Sequence, residues 1–344
     1  MGETRRFIDE IEYLLDGLIG TGSNETIRSS IEEIVKKCYS TGTDGEFIVN
    51  SGFGMKLKSH GALEKIFESL NDTNDPVVLN YLVLLISALL YDVRRLDFFF
   101  KPELAIKIAK HCIKTDSVLT CEVIEMLKSS QVLNKSSCEN PFTYFAIWLL
   151  SKWAFSRNAE FFNLLSSDQN LIKILVETCE NQDEIGEKSS DLLDFLLNRK
   201  LIKIEEKDTL YLLQKLLVKT SKVSFMKLAV SLTASAIKFE SSDVFFHLIK
   251  SIMKITFPLN GEEVEILSLS CLINLIDRSE DTLMDEFRYI QDEAVESDIK
   301  SDGEIINNLN NDSSVKISVR HSDSSACSVN NKSLLQLLAF EYCK

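Results

Sequence analysis

Apolar positions along this chain recur mainly with the period of an α-helix. Phe7, Ile8, Ile11, Leu14, Leu15 and Leu18 fall on one face at i, i+3, i+4, i+7 spacing. Asn24 reads as the N-cap of a second helix carrying Ile27, Ile31, Ile34, Val35 and Cys38. The glycine-rich stretch Thr41 to Gly54 is expected to hold short helical pieces joined by turns. Leu63 to Leu70 follows as a short helix, and Asp75-Pro76 starts the next, with Pro suited to a first turn. That helix should run to about Tyr91 and is apolar nearly all round, which places it centrally.

The same period predicts helices over 103–114, 117–129, 141–155, 159–165, 169–180, 183–198, 207–219 and 222–239, then over 242–257, 262–278 and 282–295. Short connections imply antiparallel neighbours. From Ser297 to Ser333 the pattern stops: 20 of 37 residues are Ser, Asn or Asp. Such a segment buries too little apolar surface to offset its ordering entropy, so a disordered insertion is expected. A last apolar helix, Leu334 to Tyr342, is expected to dock back on the domain formed by residues 1–296. Helices in pairs of about 35 to 45 residues point to an all-α fold, an α-solenoid of degenerate HEAT or armadillo type. An irregular all-α globule is the competing reading.

Composition narrows the function more than the fold. The 344 residues hold only 12 Gly and 4 Pro, and no Gly occurs between Gly61 and Gly186, which argues against an all-β fold. The net charge of −14 argues against a nucleic-acid coat. The longest apolar stretch, Tyr81 to Tyr91, is too short to span a bilayer, and the chain opens without a secretion signal. Eight scattered Cys contain no C-x-x-C pair and read as small core residues. Phosphate-loop, nucleophile-elbow, zinc-protease and EF-hand motifs are all missing, so no enzyme, cofactor or metal site is expected. His111-Cys112, in an amphipathic helix, lacks nearby partners for a metal.

Three charged clusters are left as candidate binding surface, each weighed against a plain solvated or structural role. Asp9, Glu12 and Asp16 share a helix face opposite the apolar stripe, beside Glu10. Lys56, Lys58 and His60 precede Gly61, with the cations projecting from one turn anchored by Phe53, Met55 and Leu57. Arg94-Arg95 precede Phe98-Phe99-Phe100, where the Phe run reads as core and the Arg pair as bonding helix-terminal carbonyls.

Four segments together resemble the conserved C-terminal domain of the Wings apart-like (Wapl) family of cohesin release factors. They are Phe7 to Leu18, an acidic-apolar opening helix; Phe53-Gly-Met-Lys-Leu-Lys-Ser-His-Gly61, similar to F-x-M-x-L-[KR]-x-H-G; Leu79 to Leu96, ending Asp92-Val-Arg-Arg-Leu96; and Leu267 to Asp277, similar to L-x-L-x-x-L-I-N-L. Residues 103–259 carry no matching motif. Lys56 stands where the family can have His, and Gly54 where it can have Arg.

The resemblance implies a nuclear, chromatin-associated HEAT-repeat module without catalysis. Its partners would be the cohesin SMC ATPase heads, the kleisin subunit and an associated HEAT-repeat regulator, with no membrane or direct nucleic-acid contact. Its role would be release of cohesin from chromatin, and so control of sister-chromatid cohesion. A generic HEAT or armadillo adaptor for another complex is the alternative. Within this reading the partner-binding residues are Asp9, Glu12, Asp16, Lys56, Lys58, His60 and a C-terminal rim of Asp277, Arg278, Met284 and Asp285. Asn274 is expected to be structural, bonding a neighbouring turn.

Overall fold

The structure is a computed structural model. It describes residues 2–19, 23–89, 97, 99–114, 121–130, 132–133, 140–181, 183–218, 222–234, 247–252 and 263–275. The chain divides into two compact units, Met1–Phe287 and Arg288–Lys344, and every described residue lies in the first. The expected helix over 282–295, the disordered insertion and the docking C-terminal helix all lie outside the described residues.

The described architecture is all-α apart from one hairpin. In chain order it comprises α1 (Gly2–Ile19), α2 (Asn24–Cys38), β1 (Tyr39–Thr41), β2 (Phe47–Val49), α3 (Ser51–Ser59), α4 (Ala62–Leu70) and α5 (Pro76–Leu89). Then come α6 (Pro102–Lys114), α7 (Cys121–Lys128), α8 (Pro141–Ser156), α9 (Ala159–Ser167), α10 (Gln169–Thr178), α11 (Glu184–Asn198), α12 (Glu206–Val218) and α13 (Val223–Thr233). Residues 247–252 and 263–275 are also helical.

Polar side chains at the helix starts explain many of these boundaries. Asn140, Asn158, Asp168 and Asp183 each accept a hydrogen bond from an amide in the first turn that follows. At α2 the cap is Ser23, one residue earlier than expected, and Asn24 is already helical. Pro141 occupies the first turn of α8, where its missing N–H costs nothing.

The stretch expected to hold short helical pieces holds the start of one, α3, but its first part is strand, in an antiparallel pair with Tyr39 facing Val49 and Thr41 facing Phe47. Phe47-Ile48-Val49 is a run of strand formers, and Gly45 turns the chain at φ 80°. The Tyr39 hydroxyl donates to Leu84 O at 3.0 Å and so ties the hairpin to α5.

Packing passes along the chain. The helix α2 packs on α1 and α5, α5 on α6, α6 on α8, α8 on α11, and α11 on α13. One row of rings threads the middle: Phe67 on Phe100 (4.9 Å between centroids), Phe100 on Trp153 (5.7 Å) and Trp153 on Phe161 (5.7 Å). The side chain of Asn274 donates to Val230 O and Thr233 Oγ1, both at 3.3 Å, joining residues 263–275 to α13 in the structural role expected for it. Cys38, Cys112, Cys179 and Cys271 are buried free thiols. Burial pushes the Cys38 and Cys271 thiols up to about 12, so they remain protonated.

Candidate partner-binding surface

On α1 the apolar stripe is inside and the charges are outside. Phe7, Ile11, Leu14, Leu15 and Leu18 are buried, while Asp9, Glu12 and Asp16 are exposed. Glu10 is paired with Lys37 of α2 at 2.6 Å, which leaves Asp9, Glu12 and Asp16 without an ion pair among the described residues. Two further features were not singled out from the sequence. Arg5 stands one turn before Asp9 on the same face, so the face opens with a cation. Tyr13 is 77% exposed on the flank of the carboxylates. An aromatic residue lying off the apolar stripe was the available signal for it.

The second cluster sits on α3, and its conformation follows from its caps. Asn50 Oδ1 accepts from Phe53 N at 3.3 Å, while its Nδ2 donates to Lys37 O at 3.3 Å, so one side chain fixes both the helix start and its seat on α2. Leu57 is fully buried. A Cβ on Gly54 would lie 2.1 Å from Leu89 Cδ2, so α3 approaches α5 closely here and a larger residue would have to push the end of the Leu89 side chain aside. Gly61 ends the segment at φ 64°, a left-handed conformation that Gly adopts freely. Met55, expected as an anchor, is 67% exposed. The helical turn that buries Leu57 turns Met55 outward.

Lys56 and Lys58 do not project side by side. Two residues apart on a helix, they diverge, and each lies over a different ring. Lys56 Nζ is 5.4 Å from the centroid of Phe7, and Lys58 Nζ is 5.4 Å from that of Phe99. The His60 Nδ1–H donates to Lys56 O at 2.8 Å, so this exposed side chain also caps its own helix. Its ring lies 5.4 Å from that of Phe7, and the Phe53 ring meets Phe7 edge-on at 5.6 Å.

Phe7 therefore carries Lys56 and His60 of the second cluster, on the side of α1 turned away from Asp9, Glu12 and Asp16. Its ring, 8% exposed, belongs to the acidic helix and carries Lys56, Phe53 and His60 of α3 around it. The rim residues Asp277, Arg278, Met284 and Asp285 lie outside the described residues, as do Arg94 and Arg95. Just upstream of that rim, Ile266, Leu269 and Ile273 are exposed at i, i+3, i+7, a short apolar stripe.

Among the described residues no group of three or more His, Cys, Asp or Glu is placed to hold a metal ion. His111 Nε2–H donates to Asn80 Oδ1 at 2.7 Å, and burial holds its pKa below the ordinary value. No helix among the described residues is long and apolar enough to cross a membrane.

The described residues define an all-α protein that exposes carboxylates on α1 and cations on α3. Residues 1–99 match the family model described as Wings apart-like protein regulation of heterochromatin, so over this stretch the chain is similar to that family. The match takes in the opening helix, the Phe53 to Gly61 segment and the Leu79 to Leu96 segment. The Leu267 to Asp277 segment lies outside it. No curated protein matches the chain.

Proposed function

We propose that the chain is a non-catalytic regulatory scaffold of cohesin, acting in the nucleus on chromatin. It binds the SMC ATPase heads, the kleisin subunit and a cohesin-associated HEAT-repeat regulator, and it promotes release of the ring from chromatin. Sister-chromatid cohesion is thereby kept reversible.

The observation that carries this reading is the seating of Lys56 and His60 of α3 on the Phe7 ring of α1, a helix whose other face exposes Asp9, Glu12 and Asp16, inside the stretch that matches the Wings apart-like family model. A surface of both signs discriminates partners by charge and sets the orientation of docking. The net charge of −14 favours encounter with a basic partner surface. Packing of helices on partners near in sequence, such as α2 on α1 and α5, α6 on α8 and α11 on α13, supports an α-solenoid of degenerate HEAT type as the frame for this surface. A scaffold of this kind moves the cohesin ring between states only through unequal affinity for them.

The test is a titration of the full chain onto purified cohesin ATPase heads, with and without bound nucleotide. The reading expects saturable binding that weakens with salt and differs between the two nucleotide states. Absence of saturable binding at low salt would overturn it.

A further inference from the structure

A cavity of about 350 Å³ opens between α4 and the segment around Phe99 and Phe100. Its wall carries Glu64 and Glu68, one turn apart on α4, followed by Asp72 beyond the helix end and Asp97 opposite. Lys101 is the one cation among its lining residues. The cavity is thus strongly acidic, and Lys58 of α3 lies over the Phe99 ring in its lining.

Its floor is aromatic. Phe67, Phe99 and Phe100 are all buried, and the contacts of Phe100 with Phe67 and Trp153 tie the floor into the central row of rings. The Phe99 ring already carries the ammonium of Lys58, so it presents a face to cations.

Two acceptors in the lining are unsatisfied. Glu64 Oε2 and Asn71 Oδ1 are buried atoms with no hydrogen-bond partner. An unpaired buried acceptor costs free energy that a donor would recover.

We propose that this cavity receives a lysine or arginine side chain from a protein partner. The match is in the chemistry of the two ends. A basic side chain lays its apolar stem along aromatic surface and keeps its charged head among acceptors. Here the stem would lie on the Phe floor, and the head would donate to Glu64 and Asn71 within the field of Glu68, Asp72 and Asp97. A bare metal ion fits less well, since the described carboxylates form no group that could coordinate one. The inference holds whichever protein supplies the side chain, so it does not depend on cohesin being the partner.

The experiment is saturation-transfer NMR of the full chain with three peptides, Ser-Gly-Lys-Gly-Ser and its forms with arginine or norleucine at the centre. The lysine and arginine peptides should show saturable transfer to their stem methylenes, and the norleucine peptide should not. Glu68→Gln with Asp72→Asn, both at exposed positions, should weaken transfer several-fold with the melting temperature unchanged. Glu12→Gln on α1 should leave it intact. Equal transfer to norleucine, no transfer at all, or indifference to Glu68→Gln and Asp72→Asn would overturn the proposal. A chain that binds these peptides but not the ATPase heads would keep this inference and remove the proposed function.

Discussion

Trp153 and Phe7 are both buried aromatic residues on helices, and their surroundings could hardly differ more. Trp153, fully buried on α8, stands between the rings of Phe100 and Phe161. Phe7 on α1 is met by an ammonium, an imidazole and one other ring. The helices differ in the same way: α8 buries apolar residues nearly all round, whereas α1 buries one stripe and exposes a charged face. The middle of the chain uses aromatic area to hold helices together. The N-terminal end uses it as a platform that fixes charges at the surface.

The largest effect that separates the two regions is expected at Trp153. Trp153→Ala should cost ~3–5 kcal/mol, since neighbouring helices collapse only in part around the cavity left behind. Denaturant unfolding measures it, and a loss near zero would deny the ring row its role in the core.

Phe7→Leu keeps the burial but removes the ring face, and should cost only ~1 kcal/mol. It should also release His60 and Lys56 from their present positions, seen as a shift of the His60 imidazole signals in NMR. Unchanged signals would show that α3 holds its charges without Phe7.

Asp75 links α5 to α2 through Arg28 at 2.6 Å. Burial pushes its carboxyl up. The Arg28 hydrogen bond, the Val77 and Val78 amides and the Arg28 charge outweigh that, so its pKa lies below the usual carboxylate value. The unfolded chain then binds the proton more readily than the folded one. This contribution to stability is present above the ordinary carboxylate pKa and is lost as pH falls through the folded value. Asp75→Asn should lower the melting temperature at neutral pH and differ least from the parent chain in acid. A gap that widens in acid would reverse the sign and contradict the pairing.

A small effect on stability is expected at the surface. Lys56→Glu with Lys58→Glu removes two exposed cation–ring contacts, together worth ~1–2 kcal/mol at most. Partner binding should fall far more than the melting temperature. Equal losses would make these lysines structural.

Much of the fold was legible because local chemistry and tertiary packing agree there. Asn140-Pro141, Asp168 and Asp183 mark helix starts that the structure keeps. The hairpin was hidden because Gly42, Gly45, Gly52 and Gly54 read as breakers, while the pairing of Tyr39 with Val49 spans ten residues. The exposure of Asp9, Glu12 and Asp16 followed from helical period alone. The meeting of α1 with α3 at Phe7 did not, because no local pattern reports which ring faces which cation. The acidic cavity was invisible for the same reason: Glu64, Glu68 and Asp72 read as a solvated face until Asp97 and Phe99 are placed across from them.

The account rests most heavily on the surface around Phe7 being a docking face. The direct measurement is the affinity of the full chain for cohesin ATPase heads, compared with Lys56→Glu plus Lys58→Glu and with Asp9→Asn, Glu12→Gln and Asp16→Asn. The account predicts saturable, salt-sensitive binding that both charge changes weaken while the melting temperature holds. Binding that neither change alters, with the fold intact, would contradict it.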